Sequence, residues 1–108
     1  MTDAVRDILL AFMRVHVLHH AVHERVFGVG MMKELARHGY KLGPGTLYPL
    51  LHRLEADGLL RSEVEVVAGK QRRYYTATPK GAKALERIRP QLAELVGEAG
   101  RHGHGRQS

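Results

Sequence analysis

Apolar residues recur with helical spacing along most of the chain, switch to alternation past the middle, and return to helical spacing before a polar, glycine-rich end. From Thr2 to about Glu24 there is neither Gly nor Pro and apolar density is high, which predicts one long helix capped by Thr2 or Asp3. Its apolar positions cover much of the circumference. A surface helix shows a narrower stripe, so this one is expected to be covered on two sides, by its own domain and by a second subunit. Gly28 and Gly30 interrupt the pattern, and Met31 to Arg37 reads as a short second helix with Met32, Leu35 and Ala36 facing inward. His38 to Gly43 is the connecting turn. A third helix runs from about Pro44 to Asp57 and stops at Gly58, with Leu47, Leu50, Leu51 and Leu54 at i, i+3, i+4 and i+7. Pro44 suits a first helical position, whereas Pro49 lacks the N–H that would bond near Gly45, so a bent or frayed first turn is expected.

Alternation then takes over. Ser62, Val64 and Val66 fall on one side of a strand, Glu63, Glu65 and Val67 on the other, and Ala68 to Gln71 forms a hairpin tip before a second strand over Arg72 to Thr78. Thr78 and Pro79 mark a helix start, Thr78 as N-cap. The helix that follows presents Leu85, Ile88, Leu92 and Leu95 at spacings of three, four and three, a coiled-coil type of seam, with Pro90 predicting a kink or a two-piece helix. The fold class is therefore mostly α with a small β-hairpin (α+β). Positions 1–78 form the first unit, 79–96 a terminal helix, and 97–108, rich in Gly and polar groups, a disordered tail.

Composition narrows the function. At 108 residues the chain suits one domain, and with 44% apolar and 6% aromatic residues and no Trp its core must be aliphatic. Seventeen Lys and Arg against eleven Asp and Glu leave +6, which favours a polyanionic partner. There is no Cys, which removes disulfides, thiolate metal sites and Cys nucleophiles. Ser62 and Ser108 are the only serines, and neither a Gly-rich phosphate loop nor a carboxylate pair stands out, so no enzyme and no cofactor is expected. The longest apolar run, Ile8 to Met13, is far short of the ~20 residues a membrane span needs. No membrane partner and a cytoplasmic location are expected.

Helix, short helix, turn, amphipathic helix and a hairpin with a basic tip is the order of a winged helix-turn-helix. A helix entering the major groove needs a polar outer face with its apolar stripe anchored behind, and the third helix offers this arrangement. Its candidate DNA contacts are Thr46, Tyr48, Pro49, His52 and Arg53, with Lys41 just ahead; Lys70, Arg72 and Arg73 are those of the hairpin. Alternation sends Arg72 and Arg73 to opposite faces, and likewise Tyr74 and Tyr75. Arg53 either reads guanine or pairs with Asp57 at i+4.

The run Leu42-Gly43-Pro44-Gly45-Thr46-Leu47-Tyr48-Pro49-Leu50-Leu51-His52-Arg53-Leu54-Glu55, then Asp57-Gly58-Leu59-Leu60, Arg72-Arg73-Tyr74-Tyr75 and Thr78-Pro79-Lys80-Gly81, resembles the PadR family of transcriptional regulators from about Phe12 to Val96. The resemblance implies a homodimer, usually a repressor of a two-fold operator in double-stranded DNA, with the segment from Thr46 to Arg53 in the major groove and the hairpin as wing. It also implies a dimer made by the C-terminal helix with the first helix, of the short, single-helix subgroup, and in some members a small aromatic effector. The dimer candidates are Leu9, Phe12, Met13, Leu85, Ile88, Leu92 and Leu95. Gly43 stands where the family commonly has Ser, Arg25, Phe27 and Val29 where Pro, His and Tyr are frequent, and Val64 where Trp is frequent.

His16, His19, His20 and His23 lie within about a 100° arc of the first helix, giving two i, i+4 pairs of the kind that chelate Zn, Ni or Cu. The plainer account, polar residues at a seam, is preferred. A metal-responsive regulator, or a winged helix used for protein docking, is the alternative to an effector-relieved repressor. His102 and His104 fall in the tail.

Overall fold

The computed structural model describes residues 3–103. Helices α1 (Asp3–His23), α2 (Gly28–Arg37) and α3 (Pro44–Ala56) are followed by an antiparallel hairpin, β1 (Leu60–Val67) and β2 (Lys70–Ala77), and by helix α4 (Pro79–Gly103). The fold is thus mostly helical with one small β-hairpin, the winged helix-turn-helix plus C-terminal helix that the pattern predicts. Cap candidate Thr2 and tail positions 104–108 lie outside the described residues.

The core is aliphatic. Met13, Val17, Leu18 and Ala21 of α1, Met31 and Leu35 of α2, all four leucines of the α3 stripe, Leu60, Tyr75 and Leu85 of α4 pack into one cluster. The inward face of α2 differs from expectation: Met31 and Leu35 are buried, Met32 is half-buried and Ala36 is exposed. The helix also begins three residues early, at Gly28, so Gly28 and Gly30 belong to its first turn rather than breaking it. The first turn of α3 is formed, not frayed: the amides of Thr46 and Leu47 both donate to the Gly43 carbonyl, at 3.1 and 3.0 Å.

The C-terminal ends of α2 and α3 close by the same device. At α2 the Gly39 amide donates to Ala36 O and the Tyr40 amide to Leu35 O; at α3 Gly58 and Leu59 do the same to Glu55 O and Leu54 O. These are Schellman closures, whose C′ residue takes a positive φ that glycine adopts without a Cβ penalty.

Strands β1 and β2 pair from Leu60 opposite Ala77 to Val67 opposite Lys70, so the loop is two residues, Ala68 and Gly69. Both have positive φ, the signature of a type I′ turn matching strand twist. Only the base of the hairpin is buried. Beyond Ser62 the residues Glu63 to Val66 are exposed on both faces, so alternation there sorts no inside from outside. The α1–α2 linker adds a short third rung: Val26 and Tyr75 exchange both backbone hydrogen bonds, at 2.9 and 2.7 Å.

Thr78 caps α4 as predicted, its hydroxyl accepting from the Gly81 amide at 3.0 Å while donating to Gly58 O at 2.6 Å. Against expectation, α4 is one continuous helix through Pro90 and runs past position 96 to Gly103, over a stretch whose composition suggests a tail. At 1.5 Å per residue its 25 residues span about 37 Å, and the chain measures 58 × 31 × 23 Å.

Candidate nucleic-acid interface

The leucine stripe of α3 faces the core, which turns Gly45, Pro49, His52, Arg53 and Ala56 to solvent. No side chain caps this helix: Gly43 is its N-cap, and a Cβ at Gly43 or Gly45 would meet nothing within 4 Å. The start of α3 thus presents open backbone, with the positive end of the helix dipole, beside exposed Lys41, an arrangement that attracts phosphate. Thr46 is half-buried at that end.

The outer face of α3 and the outer half of the wing share one groove of about 270 Å³, where Tyr48 and His52 face Gln71, Arg72 and Arg73 across Phe27 and Gly28. Tyr48 is half-buried against Gly28. Lys70 is exposed beside the turn. The two wing arginines diverge as alternation requires: Arg72 stacks over the Phe27 ring at 4.1 Å, and Arg73 donates to the Ser62 hydroxyl at 3.0 Å. Ser62 in turn donates to Glu55 at 2.8 Å, tying the wing to α3. Tyr75 enters the core and half-buried Tyr74 sits under Arg25, 3.9 Å from its ring centre, in edge contact with Phe27. Arg25 also pairs with Glu65 on β1. Arg53 pairs with Asp57 at 3.4 Å, but their side chains are 74% and 56% exposed, and such a pair is worth only a few tenths of a kcal/mol. It holds Arg53 loosely.

Sequence spacing did not single out Arg6 and Arg14. A second groove places both beside Thr46, Pro49 and Arg53, extending the cationic surface from α3 onto α1. Their i, i+8 spacing puts them on one side of α1, a signal the apolar pattern overshadows.

The dimer candidates divide. Met13 and Leu85, 8% and 3% exposed, are core residues of this chain and leave no surface for a partner. Leu9, Phe12 and Leu95 are exposed, together with Val5, Ile8 and Val96, while Ile88 and Leu92 are half-buried.

The histidines of α1 divide too. His19 and His23 meet edge to face with ring centres 4.9 Å apart, and His19 lines a groove with His16 and with Leu85, Arg89 and Leu92 of α4. His16 and His20 also meet His38, which sequence spacing did not bring into the group; the ligating atoms of the three lie within 4.8 Å of one another. Glu34 lies among them, its Oε2 3.1 Å from His38 Nε2 and 3.5 Å from His20 Nε2. The hydrogen bond with His38, helped by Arg37 and His20, holds the Glu34 carboxyl below its ordinary value. Burial first, then the neighbouring imidazoles of His38, His20 and His19, push His16 below the usual imidazole range. Among the described residues no helix is long and apolar enough to cross a membrane.

Two helices joined by a tight turn, the second with a polar outer face, and a basic hairpin at its side define a winged helix-turn-helix DNA-binding protein. A family model described as the Transcriptional regulator PadR-like family matches residues 17–87, and the chain belongs to that family: it is a DNA-binding transcriptional regulator, not an enzyme. It is 54% identical over 94 residues to Transcriptional regulator Rv3488 of Mycobacterium tuberculosis (strain ATCC 25618 / H37Rv), covering 87% of this chain and 88% of that one. Among solved structures it is similar to a PadR family transcriptional regulator from Eggerthella lenta DSM 2243, with 32% identity, a TM-score of 0.72 and 96% of each chain covered. The fold also matches a PadR-like regulator from Bacillus cereus strain ATCC 14579 at a TM-score of 0.82 and 24% identity, covering 93% of this chain and 99% of that one.

Proposed function

We propose that the chain works in the cytoplasm as a homodimeric, sequence-specific repressor of a two-fold operator, relieved by a small-molecule effector. The observation that carries the reading is the shared groove: Tyr48 and His52 of α3 line it opposite Arg72 and Arg73 of the wing, so base edges and flanking phosphates meet one continuous surface. Thr46, Pro49 and Arg53 supply the rest of the major-groove face, and Lys41, Lys70, Arg6 and Arg14 the surrounding phosphate contacts.

Dimerisation is supported by the apolar face that α1 and α4 leave uncovered. Leu9 is 42% exposed, Phe12 38% and Leu95 52%, and Ile88 and Leu92 are half-buried. Single exposed apolar residues are ordinary, whereas several large ones repeated along two long helices favour an association site. Met13 and Leu85 back that face from within the core.

A cleft of about 190 Å³ between the end of α1 and α2, lined by His20, Arg25, Phe27, Met31 and Glu34, suits a single-ring aromatic effector, being smaller than the ~300–1,000 Å³ of drug-sized sites.

The test is fluorescence anisotropy with a duplex from the protein's own promoter, competed by random duplex at physiological salt. Binding that survives a large excess of competitor supports the repressor. Equal affinity for both duplexes refutes it.

A further inference from the structure

The Glu34 carboxylate is divided between two kinds of partner. Arg37 Nη1 donates to its Oε1 at 2.8 Å, while Oε2 is turned to two imidazole nitrogens, His38 Nε2 and His20 Nε2. One proton at most can sit between Oε2 and each nitrogen, and His16 closes the remaining side, its ring 5.1 Å from that of His38 and fixed edge-on by Tyr40 at 5.2 Å. Three imidazoles from two helices thus converge, and the Glu34 carboxylate stands against two of them.

A tetrahedral first-row ion with metal–nitrogen bonds of about 2.0–2.1 Å holds its ligand atoms about 3.3 Å apart. The two distances from Glu34 Oε2, 3.1 and 3.5 Å, are near that value, and the imidazole ligand atoms, within 4.8 Å of one another, draw together on binding. Geometry also explains the choice of ligands. His16 and His20 are one turn apart on α1, and Glu34 and His38 are one turn apart on α2, so each helix offers an i, i+4 pair to the other.

We propose that His16, His20, His38 and Glu34 form a binding site for a divalent transition-metal ion, with three imidazoles and one carboxylate as ligands. Nitrogen and oxygen donors without thiolate suit Zn²⁺, Ni²⁺ or Co²⁺ rather than the softer Cu⁺ or the harder Mg²⁺ and Ca²⁺. The ion clamps α1 to the end of α2 where the chain turns into α3. Its effect on DNA rests on the repressor reading: His38 is the C-cap of α2, six residues ahead of Pro44, so occupancy fixes where α3 is presented.

Titration of the full chain with Zn²⁺ against a chromogenic chelator, with Co²⁺ as the spectroscopic probe, tests the site. The background carries His102→Gln and His104→Gln. Expected are one ion per chain with micromolar or tighter affinity, and Co²⁺ d–d bands of four-coordinate intensity. Glu34→Gln and the exposed His38→Gln should each lower affinity about tenfold to a hundredfold, with unchanged circular dichroism, and His23→Gln should leave it as it is. Millimolar binding, or undiminished binding by His38→Gln, overturns the site. Promoter-duplex anisotropy with and without Zn²⁺ then separates the two readings. A loaded site that leaves DNA affinity unchanged overturns the clamp; absence of promoter binding in both states overturns the repressor and leaves the site standing.

Discussion

Tyr48 of α3 lies directly on the backbone of Gly28 at the start of α2, so close that a Cβ there would sit 2.5 Å from the phenol oxygen and 2.5 and 2.6 Å from two ring carbons. The two helices of the DNA-binding motif are in register because nothing projects from position 28. Gly28→Ala should cost about 1–3 kcal/mol by overpacking, and weaken promoter binding by pushing Tyr48 towards the groove. Urea denaturation of Gly28→Ala, Tyr48→Ala and the double variant checks this. The double variant should recover part of the loss, and strictly additive effects would rule out the contact as its cause.

A tighter approach joins α4 to the connection between α3 and β1. A Cβ at Gly81 would lie 2.1 Å from the Leu59 carbonyl oxygen and 3.2 Å from a methyl of Leu18. Backbone cannot yield as a side chain does, so Gly81→Ala should cost more than Gly28→Ala, reaching or passing the upper end of the ~1–3 kcal/mol typical of overpacking. Thermal melts of the two variants side by side give the order.

Ala68 holds a φ of 52° at the wing tip. That conformation costs an L-residue roughly 1–2 kcal/mol, and Asn tolerates it better through its short polar side chain. Ala68→Asn should therefore raise stability by about 0.5–1 kcal/mol in urea denaturation, without changing the salt dependence of DNA binding. A lower midpoint would refute the turn assignment.

Lys70 and Arg53 should fail in different ways. Lys70→Ala should weaken binding to promoter and random duplex alike, and reduce the slope of log K against log salt by about 0.9 per subunit, about 1.8 for the dimer. Arg53→Ala should instead narrow the gap between the two duplexes, because a base contact carries about 1–3 kcal/mol of discrimination. Anisotropy at several salt concentrations distinguishes the patterns, and a uniform loss for Arg53→Ala would demote it to a phosphate contact.

Phe12→Glu combined with Leu9→Lys places charge on the exposed apolar face of α1 without touching the core. Sedimentation equilibrium should show the variant as a monomer with an intact circular dichroism spectrum. An unchanged dimer mass would move the interface elsewhere.

The α3 stripe was legible because all four leucines answer to one environment, the core, and a single period describes them. Thr78 was legible because capping is local. Met13 and Leu85 were not, since they lie on stripes that serve the core and the outer apolar face at once, and periodicity does not say which neighbour covers a given turn. Gly28 reads as a helix breaker from propensity alone, but a tertiary contact with Tyr48 demands it. The continuation of α4 past position 96 has a similar origin: each glycine costs a helix about 1 kcal/mol without ending it. His38 and Glu34 escaped because the group they join is assembled across two helices, and spacing within α1 points only to its own histidines.

Thr78 ties the turn that closes α3 to the beginning of α4 with the same hydroxyl, and so couples reading head to arm. In a dimer assembled along α4 the distance and phase between the two heads are therefore built in. An operator lengthened by one base pair between its halves would turn one half by roughly 35° out of phase, and the protein has no slack with which to follow it.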